Sequence, residues 1–494
     1  MTSYLILILV YLAILMVFNV MRSRRVKTSE DFMVAGRQLP LRVMVFTLIC
    51  TWIGSGTFIA GAEYAYKAGF SSLWLPAGAW IGIVLIYFLA SKIRTFGQYT
   101  IGDILEVRYG RFARLFGAIA LIIAFVTIVS YQFRAGGYIL HVVTDGRISV
   151  AWGQALSAFF VITFTALGGM VTVAYTDLPN GILILLACIL SLPFCASAVG
   201  GFSGIQKILP PGHFEVFSQD MGAYPALKAF GYFLATLTLL MGIQSMYQKF
   251  YSAKTPKDAR QAVIIWVLGT ILVEVVVVLV AIFASARFWN QGKDPASMVL
   301  LAARYMVPAP VGFLLLAAAC AVVISTGMNY LLSPSTNVIR DILQCEFGLV
   351  LNQKRAIRVQ KYAVIVLGLC AFAMIFIPTI LGKSISVLRY SYFAYTIYGV
   401  SITPALIAAL AWKRATKAGG VASILSGVVS TLVFEILIPQ LFPEVLKNGD
   451  PWGIPGIYPS LGLSILTLIV VSVCTKPPES SVLEKLFSQK RMSQ

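Results

Sequence analysis

The sequence predicts an all-α polytopic membrane protein, and three observations carry that reading. Of its 494 residues, 59% are hydrophobic and 12% charged, with a mean hydropathy of +0.86, more apolar surface than a water-soluble core can bury. Thirteen apolar runs, most of them long enough to cross a bilayer as helices, follow one another along the chain. Basic residues collect in alternate loops between them. The net charge of +19 would suit nucleic acid if it formed one patch, but its placement in short loops assigns it to a membrane surface, and no nucleic-acid partner is expected.

In order, the runs are 3–21, 43–66, 73–90, 115–142, 151–166, 178–198, 227–246, 262–284, 311–332, 362–380, 386–410, 420–438 and 458–473. The segments after odd-numbered runs hold Arg22, Arg24, Arg25 and Lys27; Lys92, Arg94, Arg108, Arg111 and Arg114; and Lys249, Lys254, Lys257 and Arg260. They continue with Lys354, Arg355, Arg358 and Lys361, then Lys413, Arg414 and Lys417, and end with Lys485, Lys490 and Arg491 of a tail over 476–494. The positive-inside rule makes that side cytoplasmic, so the N-terminus is expected outside and the C-terminus inside an inner or plasma membrane. The first run lacks a basic region before it and a small-residue cleavage site after it, and reads as a retained helix. Seven scattered cysteines show no paired metal spacing and read as small core residues. No loop is long enough for a further globular domain, so residues 1–494 read as one membrane domain.

The second run contains Cys50-Thr51-Trp52-Ile53-Gly54-Ser55-Gly56-Thr57, a polar, glycine-interrupted patch at mid-membrane. Each Gly costs roughly 1 kcal/mol against Ala inside a helix, and backbone groups freed in hydrocarbon need a cavity or a ligand. The patch predicts a broken helix that holds an ion or solute. Ionisable groups at bilayer depth are the next filter: Arg134 in the fourth run, Asp177 at the start of the sixth and Glu274 in the eighth. In the ninth run Ser325 and Thr326 bring two hydroxyls to mid-depth. They suit a hard cation's oxygen shell, although back-bonding to the preceding turn also accounts for them.

These segments resemble the sodium/solute symporter family, which includes proline, pantothenate, sugar, choline and sialic acid transporters. The resemblance runs essentially end to end. Its carriers are Glu30-Asp31-Phe32-Met33-Val34-Ala35-Gly36-Arg37, Gly168-Gly169-Met170-Val171-Thr172-Val173-Ala174-Tyr175-Thr176-Asp177, the stretch from Gln244-Ser245-Met246 to Ser252-Ala253-Lys254, and the Ser325-Thr326 step. It implies inverted five-helix repeats of the leucine-transporter-like fold, about 43–198 and 227–410, with a peripheral first helix at 3–21 and peripheral last helices at 420–473. It further implies a sodium site built from the carbonyls of Cys50, Ile53 and Val322 and the hydroxyls of Ser325 and Thr326. Asp177 matches a position for a second cation or for proton coupling, though it also suits an N-cap of the helix opening at Leu178-Pro179.

Solute contacts are expected from Thr51, Trp52, Ser55, Thr57, Arg134 and Gln244. Trp52 equally suits packing against neighbouring helices, and the family supplies no role for Glu274. Arg134, a guanidinium inside the membrane at a position that resembles the carboxylate-binding one of the sialic acid branch, points to a carboxylate-bearing solute such as an amino acid or organic acid, although an arginine that reaches the external interface or pairs with a glutamate on another helix also accounts for it. The expected function is sodium-coupled symport of a small organic solute by alternating access, with sodium as coupling ion and no other cofactor. Its partners are then solute, sodium and lipid, with no obligate protein partner. A proton-coupled symporter and a non-transporting sensor on the same fold are the alternatives. No Ser/His/Asp set, metal cluster or paired carboxylates suggest an enzyme.

Overall fold

The computed structural model describes residues 3–24, 26–96, 99–383 and 385–487; Arg25, Lys490 and Arg491, counted above among the basic positions, lie outside them, as does the end of the 476–494 tail. The chain folds into helices α1 (Ser3–Ser23), α2 (Leu41–Trp52), α3 (Gly61–Ala68), α4 (Trp74–Phe96), α5 (Ile101–Tyr109), α6 (Arg111–Val143) and α7 (Val150–Ser197). There follow α8 (Pro225–Gly242), α9 (Gln244–Ser252), α10 (Pro256–Arg287), α11 (Ala309–Asn337), α12 (Gln353–Ile380), α13 (Val387–Ala411), α14 (Lys417–Leu432) and α15 (Ile457–Cys474). Eleven helical stretches among the described residues are long and apolar enough to cross a membrane, against the thirteen expected. The difference lies in two places. Gly56–Ser91 joins the outer part of the broken second run to the third, and Val150–Ser197 carries the fifth and sixth runs across a single kink.

That kink is Gly169, at φ 56° and ψ −157°, a backbone region open to glycine and closed to other residues. Residues 170–177, read from sequence as leading up to the sixth helix, are therefore helical, and Asp177 lies well inside α7 rather than at an N-cap. Helix packing relies on close backbone approach, as expected where lipid supplies no hydrophobic drive. Gly78 and Gly82 stand one turn apart on α4, and a Cβ at Gly78 would lie 2.0 Å from the Phe233 carbonyl of α8. Outward-facing side chains are apolar, with Phe88 and Trp152 each 71% exposed, as a lipid-facing surface requires.

α6, α7 and α11 pack together, α10 lies against α2 and α4, and α13 against α6 and α8. α1 sits on α7 and α11 at the periphery, while α14 and α15 pair with each other beside α13. Three basic residues assigned from sequence to a cytoplasmic surface are instead inside the protein: Lys249, Arg108 and Arg114 are 0%, 1% and 4% exposed.

Candidate functional site

Two chain breaks define the centre of the molecule. α2 ends at Trp52, Ile53 turns out of the helix at φ −69° and ψ 97°, and helical structure resumes as a wider π turn over Gly56–Ala60 before α3. The second break, between α8 and α9, is at Ile243, with φ −71° and ψ 117°. Tyr398 on α13 spans it, donating to the Gly242 carbonyl (2.8 Å) and accepting from the Gln244 amide (3.0 Å). Sequence reading found the first break and missed the second. Its signal was the step from an apolar run into Gly242-Ile243-Gln244-Ser245.

At the first break the freed carbonyls meet α11. The Thr326 hydroxyl lies 2.9 Å from the Cys50 carbonyl oxygen and 3.0 Å from that of Ile53, and Ser325 Oγ lies 3.4 Å from the Cys50 carbonyl oxygen. Val322 stands one turn before Thr326 on the same helix, and all five residues are buried. Gln132 on α6 accepts from the Ser55 amide at 3.1 Å, so another of the groups freed by the break is satisfied. Gly54 lets the strands of this arrangement close: a Cβ there would sit 2.8 Å from Thr326 Cγ2.

Asp177 reaches the same place from α7. Its carboxylate accepts from Ser325, from Thr47 at 2.5 Å and from the Asn329 amide at 3.2 Å. The other end of the Asn329 amide accepts from the Lys249 ammonium, so a buried cation and a buried anion are joined through one side-chain amide. Neither Asn329 nor Lys249 was singled out from the sequence. Lys249 stood in a run that reads equally as a cytoplasmic loop, and only the break at Ile243 turns α9 inward.

Beside this oxygen cluster lies a cavity of about 20 Å³ between α2, α3, α4, α8, α10 and α13, room for a water and not for an organic solute. Trp52, Thr57, Glu274 and Tyr395 line it. The Glu274 carboxylate accepts from the indoles of Trp52 (2.8 Å) and Trp80 (2.6 Å), and Thr57 Oγ1 is 3.4 Å away. Thus Trp52 faces the cavity with its hydrogen bond made, rather than serving only as packing.

The other expected solute contacts fall elsewhere. Thr51 back-bonds to the Thr47 carbonyl at 2.6 Å, and Ser55 is buried beside the break without lining the cavity. Arg134 turns toward α12, 3.3 Å from Thr379 Oγ1, and lies over the Tyr138 ring with its carbon 5.0 Å from the centroid. Gln244 is held at the basic end of the protein by Asn337, by the Ser333 carbonyl and by the Ile101 amide. These placements share one cause: helical position fixes depth in the membrane but not the face of the helix.

A profile described as the sodium:solute symporter family matches residues 32–427. Among curated proteins, the human (Homo sapiens) high affinity choline transporter 1 is 25% identical, covering 95% of this chain and 84% of that protein. A Staphylococcus aureus sodium/proline symporter is 24% identical over 97% of this chain and 94% of its own. Among solved structures, a sodium-coupled sialic acid symporter in a substrate-bound outward-open state superposes with a TM-score of 0.78 at 16% identity, covering 96% and 98% of the two chains. A nucleobase-cation-symport-1 family transporter in a closed conformation gives 0.60 at 13% identity, with 92% and 97% covered. The architecture is therefore the leucine-transporter-like fold.

Proposed function

Because the chain belongs to the sodium:solute symporter family, we propose that it carries a small organic solute into the cell with sodium by alternating access. As a member of that family it is a multi-pass membrane transporter and not an enzyme. The observation that supports the particular site is the approach of the Thr326 hydroxyl to the carbonyls of Cys50 and Ile53. With Ser325 Oγ and the Val322 carbonyl these make five neutral, hard oxygens on two helices of different repeats, a donor set suited to sodium. The Ser325 proton is already directed to Asp177, and rotation of the Thr326 proton away from the carbonyls turns its lone pairs too toward an ion between them. Sodium then cross-links the broken helix to α11, and its departure releases that link.

In this reading the repeats span about 43–198 and 227–410, each opening on a broken helix, and the basic end faces the cytoplasm. Asp177 sits one hydroxyl away from the sodium ligands and serves as a second cation or proton position. The carboxylate expected on the solute rested on Arg134, which contacts Thr379 and Tyr138 and does not line the central cavity.

The test is a titration of purified protein with sodium chloride against potassium chloride, read as thermal stability. Sodium should stabilise in proportion to its occupancy. Thr326→Ala should demand roughly tenfold more sodium, since a ligand to a charged group contributes about 1.5 kcal/mol. Stabilisation by acid in place of sodium would transfer the coupling role to Asp177 and a proton.

A further inference from the structure

The central cavity contains an ionisable side chain that the sodium reading does not use. Glu274 is 2% exposed and lines the cavity. Among the described residues its hydrogen-bond partners are two indoles and a hydroxyl, with no lysine or arginine. The other buried carboxylate near the centre differs: Asp177 is linked to the Lys249 ammonium through Asn329. A buried carboxylate without a countercharge is costly, and indole donors offset only part of that cost because they are neutral.

The lone pairs narrow what can complete the site. Oε1 faces Trp52 and Thr57, whereas Oε2 accepts from Trp80 alone, which leaves Oε2 able to accept again. The cavity hydroxyls of Ser72 and Thr236 already donate to the carbonyls of Gly69 and Leu75 at 2.7 and 2.6 Å. Trp52 beside the carboxylate and Tyr395 both line the cavity, their rings 6.1 Å apart and tilted by 35°, and aromatic rings attract a positive group. No lining residue is basic, so an anionic solute finds no countercharge here.

Resting on the sodium-symport reading, we propose that the solute carries a protonated amine, whose N–H group donates to Glu274 Oε2 while its charge lies against the rings of Trp52 and Tyr395. The present cavity is a collapsed form of that site, and outward movement of α3 relative to α10 opens room for the solute. An N–H donor, rather than a quaternary ammonium, answers the free lone pair on Oε2.

The experiment screens the purified protein in sodium chloride, by thermal shift, with matched sets built on one carbon skeleton. Each set contains an amine, its quaternary ammonium, its alcohol and its carboxylate, and the neutral amino acids are added for zwitterions. Amine-bearing members should stabilise with an apparent affinity roughly tenfold above the isosteric alcohol, and Glu274→Gln should abolish that margin while leaving stabilisation by sodium alone unchanged. Glu274→Asp, which keeps the charge but shortens its reach, should retain part of the margin and serves if the Gln variant does not fold. The proposal is overturned if alcohols or carboxylates bind as tightly as amines, if the amine response survives Glu274→Gln, or if no amine binds. A wild-type protein stabilised by acid and by no amine would make Glu274 a proton site. Loss of the sodium effect in the wild type, with or without solute, would instead overturn the symport reading.

Discussion

Lys249 shows how a single residue escapes sequence reading. Its neighbours Gln248, Phe250 and Tyr251 suit the end of a membrane helix, and nothing local distinguishes a solvated lysine from a buried one. What buries it is distant in sequence: Asn329 on α11 takes its ammonium, and the same amide donates to Asp177. Removing the cation leaves Asp177 uncompensated, so Lys249→Met should destabilise the sodium-free protein by roughly 3–5 kcal/mol. Adding Asp177→Asn to Lys249→Met should recover most of that loss, because both charges are then gone. Sodium should narrow the gap between wild type and Lys249→Met, since a cation arriving beside Asp177 takes over part of the missing charge. Thermal unfolding of Lys249→Met, Asp177→Asn and the double variant at low and high sodium measures all of this, and strictly additive losses would show that the two charges do not communicate.

Among the elements, the broken second helix was legible because glycine, serine and threonine inside an apolar run have few other uses. At that break the Cys50 and Ile53 carbonyls meet the Thr326 hydroxyl, with Ser325 Oγ 3.4 Å from the Cys50 oxygen. The kink at Gly169 and the break at Ile243 were less legible, since one needs a single left-handed glycine within 48 helical residues and the other a single residue outside the helical region. Gly169→Ala should cost about 1–3 kcal/mol from backbone strain alone, beyond the contact its Cβ would make 2.6 Å from the Phe32 ring. Phe32→Ala removes that contact but not the strain, so the double variant should remain less stable than Phe32→Ala by the strain term. At the break itself, Gly54→Ala should weaken sodium binding, because its Cβ would press on Thr326 Cγ2 at 2.8 Å. Combining it with Thr326→Ser, which deletes that methyl and keeps the hydroxyl, should restore part of the sodium response. An unaltered sodium titration in Gly54→Ala would mean that the break does not need close approach to α11.

At the scale of the whole molecule, polar contacts tie distant helices together at both ends of the bundle. At the end of the basic loops, Arg114 on α6 pairs with Asp103, with Glu106 at 2.5 Å and with Asp341 at 3.3 Å. Asp341 in turn accepts from Thr100 (2.9 Å) and Asn337 (2.6 Å), and Asn337 donates to Gln244 at 3.1 Å. This chain of contacts runs from α5 and α6 to α11 and α9. At the opposite end, Glu63 on α3 accepts from Ser386 Oγ at 2.6 Å and from the Leu388 amide at the start of α13 at 3.2 Å. Alternating access requires that one closure open while the other holds, so the contacts should be separable by mutation. Arg114→Gln removes the cation that Asp103 and Asp341 share and leaves Asp103 with the more distant Arg340 at 3.5 Å, and buried pairs stripped of one partner lose about 3–5 kcal/mol. Hydrogen exchange should then quicken in residues 99–109, 244–252 and 333–346 and stay slow in 61–68 and 385–392. Glu63→Gln, which weakens only the opposite closure, should give the reverse pattern. If both variants quicken exchange at both ends together, the contacts support the fold as a unit and do not act as independent gates.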